Sequence, residues 1–287
     1  MKQIDFDHGT VTGNILGVAL PMLVAQILSL LYNIVDRIYI ARIPSVGTTA
    51  LGAVGLCFPI IVIITAFSNL FGSGGAPLFS INRGKGNIKK AEAIMNTSFS
   101  MLCICGVTLM VIGMLFASPI LVLFGASEEG LSYAYPYMMI YLIGTVPSMI
   151  ATGMNPFINA QGYATSGMLS VTIGAVANLI LDPLFIFGLN LGIKGAAIAT
   201  IISQTLSAAY VFYFLRKKAE LKVRVLSKGE WKACRDDAKN IVSLGSAGFI
   251  MQLTNSLVTI CCNSVLSGIG GDVYISVMTI VSSVRQM

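Results

Sequence analysis

Residues 15–43 read ILGVALPMLVAQILSLLYNIVDRIYIARI. The run exceeds the roughly 20 apolar residues that cross about 30 Å of hydrocarbon as a helix. It lacks the sustained alternation of a membrane strand and is too long for one. Its polar members are few and ordered: Gln26, Ser29, Asn33 and Asp36 recur at spacings that keep one side of a helix. A carboxylate at the centre of a spanning helix costs about 2.5–3.5 kcal/mol on insertion scales, so Asp36 marks function. Arg37 follows near the outer end of the span, where it must snorkel or find a partner. Neighbours at i and i+1 on a helix point apart by about 100°, which argues against a structural Asp36–Arg37 pair.

The rest of the chain repeats this pattern. Apolar runs occupy about Thr49–Phe71, Ala91–Phe116, Leu131–Ile158, Met168–Phe187, Ala196–Leu215 and Ile241–Leu266, and another starts near Val273. Of the 287 residues 10% are charged and 55% hydrophobic, and mean hydropathy is +0.83. Soluble domains carry about 25% charge, so a soluble enzyme, a nucleic-acid binder and a secreted disulfide domain are all poor fits. The predicted class is an all-α integral membrane protein, a polytopic helical bundle.

The net charge of +6 is concentrated at Arg83 to Lys90 and Arg216 to Lys239. Both clusters lie on the N-terminal side of the spans, whereas the opposite side holds little besides Arg42, Lys194, Glu128 and Glu129. Such asymmetry reads as positive-inside anchoring to anionic headgroups, not as a nucleic-acid patch. The N-terminus is therefore expected in the cytoplasm and the protein in the cell membrane. Asp5, Asp7 and His8 precede the first run, a poor start for a cleavable signal, so that span is expected to stay.

Metal and enzyme chemistry find little support. Cys57, Cys103, Cys105, Cys261 and Cys262 lie inside apolar runs, Cys234 in a basic loop, and there is neither a C-x-x-C pair nor a second histidine beside His8. No G-x-S-x-G or H-E-x-x-H occurs. The glycines of Phe71-Gly72-Ser73-Gly74-Gly75 and Arg83-Gly84-Lys85-Gly86 lack phosphate-loop spacing and read as close helix packing and a turn.

Organisation follows from the long basic loop. It contains Trp231 among Lys228, Lys232 and Arg235, a composition suited to an interfacial helix on the inner leaflet. Setting Asn14 on Asn240 also brings Ile15 onto Ile241 and Gln26 onto Gln252 without gaps, so the seventh span restarts the first. The repeat is parallel because its unit has an even number of spans. The reading is a six-helix lobe at 1–215, a cytoplasmic linker at 216–239, and the start of a second lobe at 240–287.

A second intramembrane acid, Asp182, lies four residues beyond Asn178 on the same helical face and is followed by Pro183. A proline inside a helix frees a carbonyl one turn earlier. Carboxylates, an amide and a carbonyl suit a hard cation such as Na⁺, and a buried carboxylate also takes a proton.

Three stretches together resemble the multidrug and toxic compound extrusion (MATE) family. They are Gln26 with Leu31-Tyr32-Asn33-Ile34-Val35-Asp36; Gly72-x-Gly74-x-x-Pro77 leading to Gly84-x-Gly86; and Asn178-x-x-x-Asp182-Pro183 followed by Gly192-x-x-Gly195-Ala196-Ala197-x-Ala199-Thr200. The resemblance implies a two-lobed transporter that alternates between outward-open and inward-open states. It would export cationic or amphipathic drugs in exchange for Na⁺ or H⁺, with no other cofactor. It also implies that Asp36, Asn178, Asp182 and Thr200 bind the coupling ion and that Pro21 bends the first helix; Gln26 and Asn33 are candidate cavity-lining residues. Family members have twelve spans, so a C-terminal lobe is expected beyond the eighth span, inside which Met287 falls. In the repeat Cys262 stands where Asp36 does, so the second lobe need not duplicate the site.

Two other classes compete. A lipid-linked oligosaccharide flippase of similar plan would need basic residues inside its cavity, and Arg37 is nearly alone in the spans. A seven-helix receptor fits the span count but requires an external N-terminus. A fluorescent protein that matures only in the cytoplasm, fused ahead of Met1, is expected to fluoresce; a dark, membrane-inserted fusion would favour the receptor.

Overall fold

A computed structural model describes residues 4, 10–44, 46–226, 230 and 234–285. Helices α1 (Val11–Ala41), α2 (Gly47–Gly84), α3 (Ile88–Leu115), α4 (Ala117–Leu123), α5 (Glu128–Ile143) and α6 (Thr145–Ala160) are followed by α7 (Ala164–Pro183), α8 (Ile193–Tyr213) and α9 (Arg235–Arg285), with no strand among the described residues. Six helices are long and apolar enough to span a membrane, and α5 with α6 makes a seventh if counted as one span. The all-α membrane bundle read from the sequence is therefore the fold observed.

The fourth expected span differs in detail, and the separation expected between the seventh and the eighth is present. The fourth is not one helix over Leu131–Ile158, since α5 and α6 meet at 56°. Gly144 sits at the break, and Pro147 follows in the first turn of α6, where the missing N–H does no harm. The α9 helix is interrupted at Gly270 and Gly271, the latter with φ 61°, which separates a long arm from the apolar stretch Val273–Ser282. Pro21, by contrast, lies within an unbroken α1.

The buried spine of the bundle is α2, flanked by α3, α5, α6 and α9. Its glycine run lets three helices approach at once: Gly72 abuts the Gly153 backbone of α6, Gly74 the Ile241 carbonyl and Gly245 of α9, and Gly75 the Ser98 and Phe157 side chains. Small residues at such contacts are what membrane helices use in place of a hydrophobic driving force. Polar side chains of α9 complete the contact. Pro59 has no N–H for the Gly55 carbonyl, and Asn263 Nδ2 donates to that oxygen at 3.3 Å. Ser256 Oγ donates to the Pro59 carbonyl at 3.0 Å and Ser276 Oγ to that of Thr48 at 2.8 Å.

The linker does not run free at its start. After a π-helical turn at Phe214–Lys218 the chain extends across the ends of α3 and α6 with Leu221, Val223 and Leu226 buried. Gln161 acts as a pairing strand would: its Oε1 accepts from Leu221 N–H at 2.9 Å while its Nε2 donates to Leu221 O at 3.4 Å. Asn96 Oδ1 and Ser100 Oγ accept from the N–H groups of Arg224 and Leu226 at 2.8 and 3.2 Å. Ion pairs Arg83–Glu220 and Lys90–Asp237, both 2.6 Å, fasten the two ends. The leaflet-lying helix read around Lys228, Trp231 and Lys232 falls outside the described residues.

Gln161→Ala leaves two buried backbone groups unpaired, each worth about 1–3 kcal/mol. Trypsin cleavage after Lys222 and Arg224 is expected to accelerate at least tenfold in the variant, and an unchanged rate would show that the apolar contacts alone hold the strap.

Candidate functional site

The site forms where α1 packs on α7. On α7, Asn178 and Asp182 occupy successive turns of one face and are 2% and 0% exposed. Asn178 Nδ2 donates to Asp182 Oδ1 at 3.1 Å, which holds that carboxyl toward α1. There Asp36 faces it, and the two carboxyls lie within hydrogen-bonding reach. Two carboxylates this close in an apolar interior repel, and they are stable together only with a proton or cation between them.

The donor set fits such a cation. Asp36 Oδ1, Asn178 Oδ1 and Asp182 Oδ2 are buried and have no hydrogen-bond partner among the described residues. Buried oxygens are rarely left unpaired. Three on two helices form an acceptor cluster of the kind a hard cation or proton completes. Beyond Pro183 the α-helix passes into a π-helical turn, Leu184–Gly188.

The other expected residues are placed differently. Thr200 stands on α8 with its hydroxyl donating to Ala196 O at 2.9 Å, within its own helix. Asn33 turns its amide to Ser29 O at 2.7 Å, and Gln26 is exposed on the surface of α1. Arg37 reaches α2 and α9: its guanidinium lies over the Phe58 ring, 5.2 Å from the centroid, and Nη1 donates to Thr279 O at 3.3 Å, while its charge stays within electrostatic range of Asp36. It thus has partners on α2 and α9, which answers the problem the sequence posed.

Sequence reading missed a group of tyrosines. Tyr137 and Tyr141 of α5 are stacked with centroids 6.2 Å apart. Tyr137 and Tyr32 of α1 are within electrostatic range of both acids. Gln204 Nε2 of α8 donates to Tyr141 Oη at 3.3 Å. The spacing of four between Tyr137 and Tyr141, and between Thr200 and Gln204, was the available signal.

Known proteins share this arrangement of helices. The MatE family model matches residues 21–184, more than half of the chain and inclusive of Asp36, Asn178 and Asp182. A relative from Staphylococcus haemolyticus, "Multidrug export protein MepA", is 27% identical over 266 residues, covering 92% of this chain and 58% of its own. A "FAD transporter" from Shewanella oneidensis is 28% identical over 260 residues, covering 87% and 56%. The solved structure of the "MATE multidrug transporter DinF-BH", determined in complex with a dye, superposes with a TM-score of 0.86 at 30% identity, over 99% of this chain and 63% of that one. The chain thus spans somewhat more than half the length of the curated relatives it matches. Apolar helices, a shared fold and a family match that contains the acid pair agree: this chain belongs to the MatE family of multi-pass membrane transporters.

Proposed function

We propose that this chain works in cation-coupled export of drug-like molecules by alternating access, and that the Asp36–Asn178–Asp182 cluster binds the coupling ion, Na⁺ or H⁺. The observation that carries the reading is the set of unpartnered oxygens on two facing helices. A coupling ion drives export only by binding one conformation better than another. A site divided between α1 and α7 meets that need, since any shift of α1 changes the distance between its two carboxyls. Pro21 is the place where α1 would yield, and Thr200 is an accessory ligand.

Its substrates are drug-like molecules, cationic or amphipathic; the multidrug names of relatives and the dye-bound structure support the drug-like part of this reading. Transport, with no bond made or broken in the substrate and no cofactor beyond the coupling ion, is the activity. Residues 1–215 act as one six-helix lobe, 216–239 as the cytoplasmic linker and 240–287 as the opening of a second lobe, in the cell membrane with the N-terminus inside. Substrate passage between lobes then uses a C-terminal lobe as partner. A lipid-linked flippase, which would need basic residues inside its cavity, is disfavoured because Arg37 is nearly alone in the spans and its guanidinium is held against Phe58 and Thr279.

In lipid nanodiscs the purified chain is expected to bind one Na⁺, or to take up one proton when Na⁺ is absent. Asp182→Asn should weaken that binding at least tenfold, and Asn178→Ala less. A cationic rhodamine dye, if it binds, should show the reciprocal change in affinity. Wild-type cation binding by Asp182→Asn would refute the assignment.

A further inference from the structure

Arg37 follows Asp36 directly in the chain, yet its guanidinium ends on two other helices. The Phe58 ring beneath it belongs to α2, and the Thr279 carbonyl that accepts from it at 3.3 Å lies in α9 beyond the Gly270–Gly271 break. One side chain thus joins α1, which carries half of the acid pair, to the segment that the proposed function assigns to the second lobe. Arg37 is about one turn from the end of α1, and Gly55 about two turns from the start of α2. The contact therefore lies at the end of the bundle opposite Lys89 and Lys90, which begin α3.

The neighbouring helices are shaped to this contact. Beyond the break, α9 presents Ile275, Ser276, Thr279 and Ser282 on one face, and all four are buried. Ser276 Oγ donates to Thr48 O at 2.8 Å. Gly55 makes room for the next turn, since a Cβ there would collide with the Thr279 side chain. Arg37 closes one side of a cavity of about 10 Å³, with Phe58, Thr259, Asn263 and Ser282 among its other walls. That space holds no more than a single water. The junction between α1, α2 and the last part of α9 is sealed, and a guanidinium forms part of the seal.

The seal is exposed to the charge of the ion site. Arg37 is within electrostatic range of Asp36 and of Tyr137. An aromatic face and a neutral carbonyl hold a guanidinium less strongly than a carboxylate does. Ionised acids therefore draw Arg37 away from Thr279, and a neutralised pair leaves it there.

We propose that Arg37 is a latch between α1 and the second-lobe segment, closed when the charge of the acid pair is neutralised and loosened when both acids are ionised. The proposal rests on the ion-binding reading of Asp36 and Asp182 and adds the link from that site to the contact between lobes. The link is reciprocal: whatever opens the latch changes cation affinity by the same factor. The titratable groups around the pair and the guanidinium are Asp36 and Tyr32 on α1, Cys57 on α2, Tyr137 and Tyr141 on α5 and Asp182 on α7.

The test uses Ser282→Cys as a probe of the cavity wall, in the 287-residue chain in lipid nanodiscs. Alkylation by iodoacetamide is read by mass spectrometry at position 282, so the six native cysteines stay in place. Adding Arg37→Gln is expected to speed the reaction at least tenfold. Should that variant fail to fold, Phe58→Leu, which removes the ring beneath the guanidinium, is expected to act in the same direction. An unchanged rate in the folded variant would overturn the latch. The Asp36→Asn, Asp182→Asn double substitution should slow the reaction at least threefold while Arg37 is present and have no effect beside Arg37→Gln. Equal effects in both backgrounds mark a merely structural arginine and would also overturn the proposal. The ratio of wild-type to doubly substituted rates cancels the pH dependence of the reagent. It should fall toward one as Na⁺ is added or pH is lowered. A double substitution that slows the reaction, with a ratio indifferent to both cations, would instead overturn the ion-binding reading and leave the link between the acids' charge and the latch.

Discussion

Two carboxyl groups held together inside an apolar bundle are the constraint around which the rest of this structure is arranged. Asp182 is fully buried and Asp36 faces it from another helix. The adjacent Arg37 is within electrostatic range of Asp36, with its guanidinium over Phe58 and a hydrogen bond to the Thr279 carbonyl. Asn178 donates one hydrogen bond to Asp182 and leaves its own oxygen available. In the proposed function an exchangeable cation supplies the remaining balance of charge. That makes the contact between α1 and α7 responsive to ion binding in a way that an apolar contact is not.

A responsive contact needs a rigid frame, and α2 supplies it. Its glycines let α3, α6 and α9 pack against the backbone, and Asn263 covers the carbonyl that Pro59 leaves without a donor. In a bilayer, interfaces of this kind are held by close packing and interhelical hydrogen bonds. By contrast α1 is exposed along most of its length, with many of its large apolar residues at the surface. The two helices thus differ in how many sides are packed. The strap held by Gln161, with the Lys90–Asp237 ion pair, ties the start of α9 to the ends of α3 and α6, in addition to its contacts along α2.

The sequence made the spans legible because hydrophobic length is a strong signal, and it made the acid pair legible because charge inside a span is rare. Cost and spacing single out Asp36, Asn178 and Asp182, and the structure brings those three together. Thr200, Gln26 and Asn33 could not be placed so well: a hydroxyl or amide within a span satisfies itself on its own helix, as Thr200 and Asn33 do, without changing the pattern of residues. The break at Gly144 was hidden because apolar residues continue through it, and a glycine with a proline three residues on reads equally as a tolerated kink. Gln161 was invisible for another reason. Its partner Leu221 is 60 residues away, and a backbone partner leaves no mark in the sequence.

The proposed function turns on a cation held between Asp36 and Asp182 in the folded chain. Melting of the detergent-solubilised chain, followed across pH with and without Na⁺, reads this most directly. Without a cation the folded state carries the repulsion of two adjacent carboxylates, which the unfolded state lacks, and a ligand that binds only the folded state raises its stability. The melting temperature should therefore rise as Na⁺ is added, and as pH falls within the range in which Glu220 and Asp237 stay ionised, and this gain should vanish in the Asp36→Asn, Asp182→Asn double variant. A wild-type melting temperature indifferent to both Na⁺ and pH would contradict the account.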